Sequence, residues 1–491
     1  MSDSTAEEGG KPGPPETFTG PADGTERRWP ALAICLVAAF MTLLDVSIVN
    51  VALPSIKSGL GASPDGLQWI LSGYAVAFGL ALVPAGRLGD ARSRRAVFMV
   101  GLILFTLSSA AGGIAQSMLW LVIARFVQGM AGGILNPQIA GLIQILFRGR
   151  ERGRAFGALG ATIGIATAAG PLVGGTLISL AGTQEGWRWV FYVNVPVGLV
   201  ALPLAWRLLP APGRGPGRRR ESLDPIGVLL LGVGVVGLLL PFVQDQQWHG
   251  NAKWLLVPAS LIVLAGFFGW ERRHHQPLLD LTLFRHRSYA LGVTIALLYF
   301  AGFTSIFFIF TLYLQNGLHY SALLAGLAIT PFALGSAAGS TVGGRMVSRF
   351  GRSLVAGGLV LVAVGLAATF LTVRAVPGGH AALATAIPLL VGGLGSGLVI
   401  SPNQALTLSE VPPEGGGSAA GVLQTGQRIG TAVGIAAVGA VFFAAVTASH
   451  GDWATAFRHA LLVVTAFVLI AFCAAAADLF AGHHPAKAEQ S

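Results

Sequence analysis

Runs of about 20 apolar residues recur along nearly the whole chain, and this pattern limits the possible folds more than any other feature. Each run is long enough to cross the hydrocarbon core of a bilayer as one α-helix. Only 11% of the 491 residues are charged and 53% are hydrophobic, which leaves too little charge to coat soluble domains of this total size. The sequence therefore predicts an all-α, multi-pass membrane protein.

The apolar runs predict fourteen transmembrane helices. With the boundaries given below, the tails and even-numbered loops hold 23 of the 31 Lys and Arg residues, and the odd-numbered loops hold 4. Because basic residues favour the cytoplasmic side, this bias predicts that both termini are cytoplasmic. The predicted helices span residues 31–53, 67–85, 96–115, 118–143, 156–181, 189–209, 223–243, 254–270, 289–314, 321–343, 354–373, 381–406, 418–447 and 456–480.

A short basic motif occurs twice, as GRLGDARSRR at 86–95 and as GRMVSRFGRS at 344–353. Each copy follows the second helix of a set of six, which predicts two six-helix halves separated by two extra helices. Carriers built from repeated halves bind substrate between them, near the membrane midplane. The predicted organisation is a disordered cytoplasmic tail (1–28), an N-terminal bundle (29–209), a linker with two extra helices (210–288), a C-terminal bundle (289–480) and a cytoplasmic tail (481–491).

Asp45, in the stretch LLDVSIVNVALPSI at 43–56, is the only acidic residue deep within a predicted span. A carboxylate that faces lipid is costly, so an acid at this depth is a candidate functional group. A carboxyl whose surroundings alternate between wet and dry can take up and release a proton, or exchange it for a cation. The alternative is a structural carboxyl held by hydrogen bonds.

Arg125 is the candidate counter-charge. Asp45 and Arg125 lie eight and seven residues from the outer ends of their predicted helices. At 1.5 Å per residue, both are roughly 10–12 Å below the outer membrane boundary. Equal depth permits an interaction without establishing it, and the alternative role of Arg125 is to hold backbone carbonyls and brace the bundle.

Three further residues are candidates for substrate binding together with Asp45. Arg428, in LQTGQRIG, either faces the cavity and favours an anionic or polar group, or extends toward the cytoplasm. Phe303 and Phe307 follow helical spacing and suit an apolar pocket, while packing against lipid is the alternative.

Asp90 stands among basic residues at the predicted cytoplasmic end of helix two. An ion pair with Arg87 or Arg94, or a position at a helix N-terminus, would favour a state closed to the cytoplasm. Positive-inside charge alone explains the arginines but not the acid. Together with Gly86, these residues form a candidate cytoplasmic gate.

Five motifs, taken in order, resemble the major facilitator superfamily and in particular its fourteen-helix drug:proton antiporter branch (EmrB/QacA-like multidrug exporters). They are LLDVSIVNVALP, GRLGDARSRR, LVIARFVQGMAGG (121–133), GPLVGG (170–175) and WRWVFYVNVP (187–196). The resemblance implies a major facilitator fold with helices arranged 6 + 2 + 6, and a part for Arg125 in proton transfer. It also implies an antiporter motif at Gly170, Pro171, Gly174 and Gly175.

The expected function is a proton-coupled antiporter that exports hydrophobic, cationic or neutral drugs or antibiotics by alternating access across a bacterial cytoplasmic membrane. Its expected partners are a small-molecule substrate, protons and membrane lipids, and nothing indicates an obligate protein partner. The alternative is proton-coupled uptake or efflux of an endogenous metabolite. The sequence has no GxxxxGK[ST] pattern, no metal-ligand spacing and no catalytic cluster within a span, so we expect no enzyme activity, no metal and no cofactor. The basic residues lie in short loops between apolar runs, which argues against nucleic-acid binding.

Overall fold

The computed structural model of the protein describes residues 27–182, 184–210, 224–243, 250–274, 277–376 and 378–482. Most of the two predicted tails and the basic segment 213–220 lie outside the described residues. Within the described ranges, fourteen helices are long and apolar enough to cross a membrane, which confirms the predicted number of spans.

The bounds of these helices are α1 (Arg28–Leu60), α2 (Pro64–Ala91), α3 (Arg94–Gly113), α4 (Met118–Leu146), α5 (Gly149–Ala181), α6 (Gly186–Tyr192, continued by Asn194–Leu208), α7 (Pro225–Val243), α8 (Leu256–Glu271), α9 (Arg287–Leu312), α10 (Ala322–Phe350), α11 (Arg352–Ala375), α12 (Ala386–Thr407), α13 (Gly416–Ala448) and α14 (Trp453–Gly482). Several helices, among them α1, α2, α5 and α10, are longer than the apolar runs that predict them, because they continue past the hydrophobic segment into polar or charged sequence.

Because the number of spans is even, α1 begins and α14 ends on the same side of the bundle. We call this side the terminal face and the other side the opposite face. The distribution of Lys and Arg predicts that the terminal face is cytoplasmic.

The predicted helix boundaries place the first copy of the basic motif, residues 86–95, in a loop. This prediction is wrong for residues 86–91. α2 continues through Ala91, so Gly86, Arg87 and Asp90 lie on its last turns. Charged side chains end a hydropathy signal, but they do not end a helix, whose backbone hydrogen bonds persist beyond the bilayer. The connection is two residues long, and the Ser93 hydroxyl caps α3 by accepting a hydrogen bond from the next turn.

The second copy of the motif has the same form. α10 reaches Phe350, and the next helix begins at Arg352. The single residue between them, Gly351, has φ +52°, a left-handed conformation that glycine adopts without a steric penalty. A one-residue connection of this kind reverses the chain direction at the terminal face.

The two halves, α1–α6 and α9–α14, meet along two seams. Along the first, α5 packs against α10 through small residues: a Cβ added to Gly157 would lie 2.9 Å from the Ser340 carbonyl oxygen. Farther along the same pair of helices, a Cβ added to Gly326 would lie 2.5 Å from Pro171 Cβ. Backbones this close require small residues on both helices, and they keep this seam closed over most of its length.

Along the second seam, α2 and α13 are in close contact near the terminal face. A Cβ added to Gly86 would lie 2.4 Å from the Gly417 carbonyl oxygen. Toward the opposite face these helices separate around a cavity, and α7 packs against both of them. The extra helix pair α7–α8 therefore flanks this seam rather than linking the halves at a distance.

Candidate transport site

Asp45 lies in the middle of α1, and its side chain is fully buried, with 0% of its surface exposed. Arg125 Nη1 donates to Asp45 Oδ2 at 2.5 Å. The other carboxylate oxygen, Oδ1, accepts hydrogen bonds from Gln128 Nε2 at 2.8 Å and Asn194 Nδ2 at 3.1 Å. The ion pair for which the sequence could show only equal depth is therefore present, and both carboxylate oxygens have donors.

Arg125 on α4 is held from several directions. Its Nη1 also donates to Gln128 Oε1 at 2.8 Å, and its Nε donates to the Ile70 carbonyl oxygen at 3.4 Å. One face of the guanidinium lies against Tyr74, with 4.1 Å between Cζ and the ring centroid. Such a buried cation depends on every acceptor it has, because an unpaired buried charge is very costly.

Ser109 on α3 completes this buried network. Its hydroxyl accepts hydrogen bonds from Gln128 Nε2 and Asn194 Nδ2, both at 3.1 Å, and donates to the Phe191 carbonyl oxygen at 2.9 Å. The network thus joins α1, α3, α4 and α6. The sequence reasoning missed Gln128, Asn194 and Ser109, although the first two stand inside quoted motifs, as the Gln of ARFVQG and the Asn of FYVNVP.

Asp90 lies at the seam between α2 and α13 and joins the two halves. It accepts hydrogen bonds from two backbone groups of the first turn of α13: Gly417 N at 3.0 Å and Ser418 N at 2.7 Å. The Ser418 hydroxyl donates to it at 2.8 Å. A carboxylate at a helix N-terminus satisfies free N–H groups and interacts favourably with the helix dipole.

Arg94 holds Asp90 from the side of its own half. Arg94 Nε donates to Asp90 Oδ1 at 2.9 Å, while Nη2 reaches the carbonyl oxygens of Pro413 and Glu414 in the other half at 2.5 and 3.1 Å. Gly86 packs against the same first turn of α13, and Arg87 is partly buried one residue farther along α2. The candidate gate residues are therefore gathered where the two halves touch at the terminal face.

The candidate antiporter motif lies on α5 between Asp45's helix and the other half. A Cβ added to Gly170 would lie 2.3 Å from Ser47 Oγ, and one added to Gly174 would lie 2.8 Å from Ile48 Cγ1, both on α1. Pro171 and Gly175 face α10 instead. These are packing contacts, and they place α5 in direct contact with α1 in its own half and with α10 in the other half.

A cavity of about 510 Å³ lies between α2, α7, α9 and α13, in the half of the membrane region nearer the opposite face. Arg428 lines it and stacks on Phe78, with 4.2 Å between the guanidinium carbon and the ring centroid. Asp45 is not part of the lining, because it is sealed inside the N-terminal half.

Phe303 and Phe307 also lie outside this cavity, in an aromatic cluster of the C-terminal half. Their ring centroids are 5.1 Å apart, and Phe332 is 5.2 Å from Phe307. The two voids they border measure about 10 Å³ each, which is about the space of one water molecule. Of the four candidate substrate-binding residues, only Arg428 borders a cavity large enough for a drug-sized molecule.

Two six-helix halves, a closed seam at one face and a cavity between the halves define a membrane carrier. The family model described as Major Facilitator Superfamily matches residues 35–435. The chain belongs to this superfamily, and it is a multi-pass bacterial membrane transporter rather than an enzyme.

Similar proteins point to the export of drugs. The chain is 37% identical over 461 residues to "Probable actinorhodin transporter" of Streptomyces coelicolor, covering 92% of this chain and 79% of that protein. It is 36% identical over 433 residues to a puromycin resistance protein of Streptomyces alboniger, covering 87% of this chain and 84% of that protein. Among solved structures, the human organic anion transporter MFSD10 matches with a TM-score of 0.69 at 15% identity, covering 91% of this chain and 99% of that one. At that identity the likeness concerns the fold alone.

Proposed function

We propose that this protein exports hydrophobic, antibiotic-sized molecules across the bacterial cytoplasmic membrane in exchange for protons. The observation that carries the proposal is the separation of two sites: a buried Asp45–Arg125 pair with no access to the cavity, and a cavity between the halves. The names of the relatives, which include an actinorhodin transporter, a puromycin resistance protein and a tetracenomycin C export protein, support export of such compounds.

Protonation of Asp45 is the step that would drive the cycle. A neutral carboxyl no longer balances the charge of Arg125, and breaking a buried ion pair in this way costs about 3–5 kcal/mol. Because the network joins four helices, it relaxes by moving those helices relative to one another. Deprotonation restores the ion pair and the arrangement described above.

Helix α2 links the proton site to the gate and the cavity. Tyr74 touches Arg125, Phe78 touches Arg428, and Asp90 binds the first turn of α13. A shift of α2 in response to Arg125 therefore acts on the cavity wall and on the gate together. With the terminal face in the cytoplasm, the conformation described here is closed to the cytoplasm, and the opposite conformation would load substrate.

The earlier expectation of cationic or neutral substrates depended on Asp45 facing the cavity. In this conformation Asp45 makes no contribution to the cavity lining, so the geometry gives that expectation no support. The proposed function is therefore proton-driven export of hydrophobic compounds, without a stated substrate charge.

Inside-out vesicles from a strain that lacks its own drug pumps test this proposal. We expect an acid-inside pH gradient to drive accumulation of tetracenomycin C, which has no amine that an acidic interior could trap, and an uncoupler to abolish it. Asp45→Asn, which cannot titrate, should reduce accumulation to background while the protein still inserts. Asp452→Asn is the matched control, because Asp452 is an exposed residue that caps α14 through the Thr455 N–H, a bond that Asn can also make. Accumulation that ignores the uncoupler, or normal accumulation by Asp45→Asn, would refute proton coupling through Asp45.

A further inference from the structure

Among the residues that the structure describes, Arg428 has no charged partner and makes no hydrogen bond. Its guanidinium stacks on the face of Phe78, and Tyr74 lies close enough to interact with it electrostatically. Arg125 in the other half has a carboxylate, an amide and a backbone carbonyl as acceptors. A guanidinium at this depth without an acceptor is costly, so it is a functional group by default.

Among the residues that the structure describes, no Asp or Glu lines the cavity around Arg428. The walls of the cavity are mainly apolar and include Leu71, Leu239, Phe308 and Phe443. Its polar lining is limited to Gln68, Ser72 and Thr431, and the Thr431 hydroxyl is hydrogen-bonded to Thr304 at 2.9 Å. The cavity therefore combines one positive charge with a predominantly hydrophobic surface.

Asp45 cannot serve as the missing partner in this conformation. Both of its oxygens already accept hydrogen bonds from Arg125, Gln128 and Asn194. Tyr74 lies against Arg125 on the near side of this network, one helical turn along α2 from Phe78. The charge of Arg428 is therefore available to a molecule in the cavity.

We propose that the cavity recognises amphipathic molecules that carry one carboxylate beside an aromatic or polycyclic body, and that Arg428 binds the carboxylate. The guanidinium rests on Phe78 by one face, and its N–H groups have no acceptor in the part of the chain that the structure describes, so a planar carboxylate can take two of them at once. The apolar walls from α7, α9 and α13 then enclose the body. This inference rests on the proposed export function, because it names the substrate class of the same cavity.

Three fluorescent probes with one aromatic body separate charge from hydrophobicity: 1-pyrenebutyrate, 1-pyrenebutanol and 1-pyrenemethylammonium. Binding is measured to purified full-length protein in phosphatidylcholine nanodiscs, with empty nanodiscs subtracted. We expect the carboxylate to bind at least about tenfold more tightly than the alcohol, as one charge-assisted contact allows, and the ammonium to bind most weakly. Arg428→Gln should abolish the preference for the carboxylate and leave alcohol binding within about twofold, whereas Arg428→Lys should retain part of the preference.

Arg374→Gln is the matched control, because it removes one positive charge from an exposed position at the end of α11, outside the cavity. If Arg428→Gln fails to fold, the order of affinities of the wild type and of Arg428→Lys for the three probes tests the proposal. Preference for the alcohol or the ammonium, or a carboxylate preference that survives in Arg428→Gln, would overturn the proposal. Loss of carboxylate binding on adding phosphatidylglycerol would assign Arg428 to a lipid headgroup and overturn it as well.

The vesicle assay distinguishes this inference from the proposed function. Gradient-driven export of the alcohol but not of the carboxylate would refute the inference and leave proton-driven export intact. Carboxylate-selective binding without any gradient-driven export would refute the proposed function and support the inference.

Discussion

Arg125 in the N-terminal half and Arg428 in the C-terminal half are both membrane-embedded arginines that rest on an aromatic ring of α2. They differ in what faces their N–H groups: Arg125 binds Asp45 and Gln128, and Arg428 has no acceptor among the described residues. An arginine that is paired with an acid loses its ion pair when the acid takes up a proton, whereas an arginine without an acid partner can attract an anion. In the proposed function, the acid Asp45 therefore gives Arg125 a part in proton coupling, and Arg428, which has no acid partner among the described residues, is left to bind substrate.

The two copies of the basic motif also differ in the partners of their charged residues. In the first copy, Asp90 and Arg94 reach across to the other half. In the second copy, Arg352 occupies the position of Arg94, but it pairs with Asp478 at 2.9 Å inside its own half, and Ser348 stands where Asp90 would be. The repeat is therefore symmetric in sequence, but its two copies meet the other half differently. The first copy does so through hydrogen bonds, and the second does so through packing, where a Cβ added to Gly344 would lie 2.6 Å from Gly157 Cα.

The largest effect on transport and stability is expected at Arg125, because its pairing with Asp45 is what distinguishes it from Arg428. Arg125→Ala leaves Asp45 buried without its counter-charge, which should destabilise the protein by about 3–5 kcal/mol and abolish gradient-driven accumulation. Arg125→Lys keeps the charge but loses the planar fork, so part of the activity should remain. Vesicle accumulation and thermal unfolding in detergent measure the two effects.

Arg458→Ala provides the control, because Arg458 lies on α14 and its one hydrogen bond among the described residues is to Thr455 at 2.7 Å. We expect accumulation close to that of the wild type. Equal loss in the alanine and lysine variants at position 125 would indicate a role in geometry rather than charge. Wild-type accumulation by Arg125→Ala would remove Arg125 from the mechanism.

An intermediate effect, on the conformational equilibrium, is expected at Asp90, whose position in the second motif copy is occupied by Ser348. Asp90→Asn loses the charge that faces the first turn of α13, and each such hydrogen bond to a charged group is worth about 1.5–3 kcal/mol. We therefore expect about a tenfold or larger shift toward the state that is open at the terminal face. Binding of 1-pyrenebutanol should persist.

The shift is measured with one cysteine at Gln424, which lies on α13 and donates to the Asn136 carbonyl oxygen on α4 of the other half. The native Cys35 and Cys473 are first replaced by alanine. A membrane-impermeant maleimide added at the terminal face should label Gln424→Cys faster in the Asp90→Asn background. Asp478→Asn, the matching change inside one half, should leave labelling unchanged. Unaltered labelling in Asp90→Asn together with lost pyrenebutanol binding would contradict a gating role.

The spans and the two charged candidates Asp45 and Arg125 could be predicted from the sequence, because hydrophobic length and charge are strong local signals. Their pairing could not be predicted, since equal depth does not show which faces of two helices meet. The amide partners Gln128 and Asn194 could not, since polar uncharged residues in apolar runs are common and their meaning depends on which helices meet. Nor could the sequence tell which face of α9 borders the cavity. Phe303 and Phe308 both follow apolar spacing, but Phe303 packs in the aromatic cluster and Phe308 lines the cavity.

The smallest effect on ligand binding is expected at Phe303, and the pair Phe303 and Phe308 tests the cavity assignment within one helix. Phe303→Leu removes ring contacts with Tyr299, Phe300 and Phe307, which should cost about 0.5–1.5 kcal/mol of stability for each lost aromatic pair. Its affinity for 1-pyrenebutyrate should stay within about twofold of the wild type, because no described contact joins Phe303 to the cavity.

Phe308→Leu should do the reverse on the same helix. Its ring lines the cavity and contacts Phe443 edge-on, with 6.5 Å between centroids, so the substitution removes apolar wall from the ligand. A few-fold loss of pyrenebutyrate affinity is expected, as for about 1 kcal/mol of buried apolar contact, with less effect on unfolding temperature than Phe303→Leu. Titration with 1-pyrenebutyrate in nanodiscs gives the affinity of each variant, and thermal unfolding gives the unfolding temperature of each variant. If Phe303→Leu weakens binding more than Phe308→Leu does, the ligand occupies the aromatic cluster instead, whose voids Arg428 does not border.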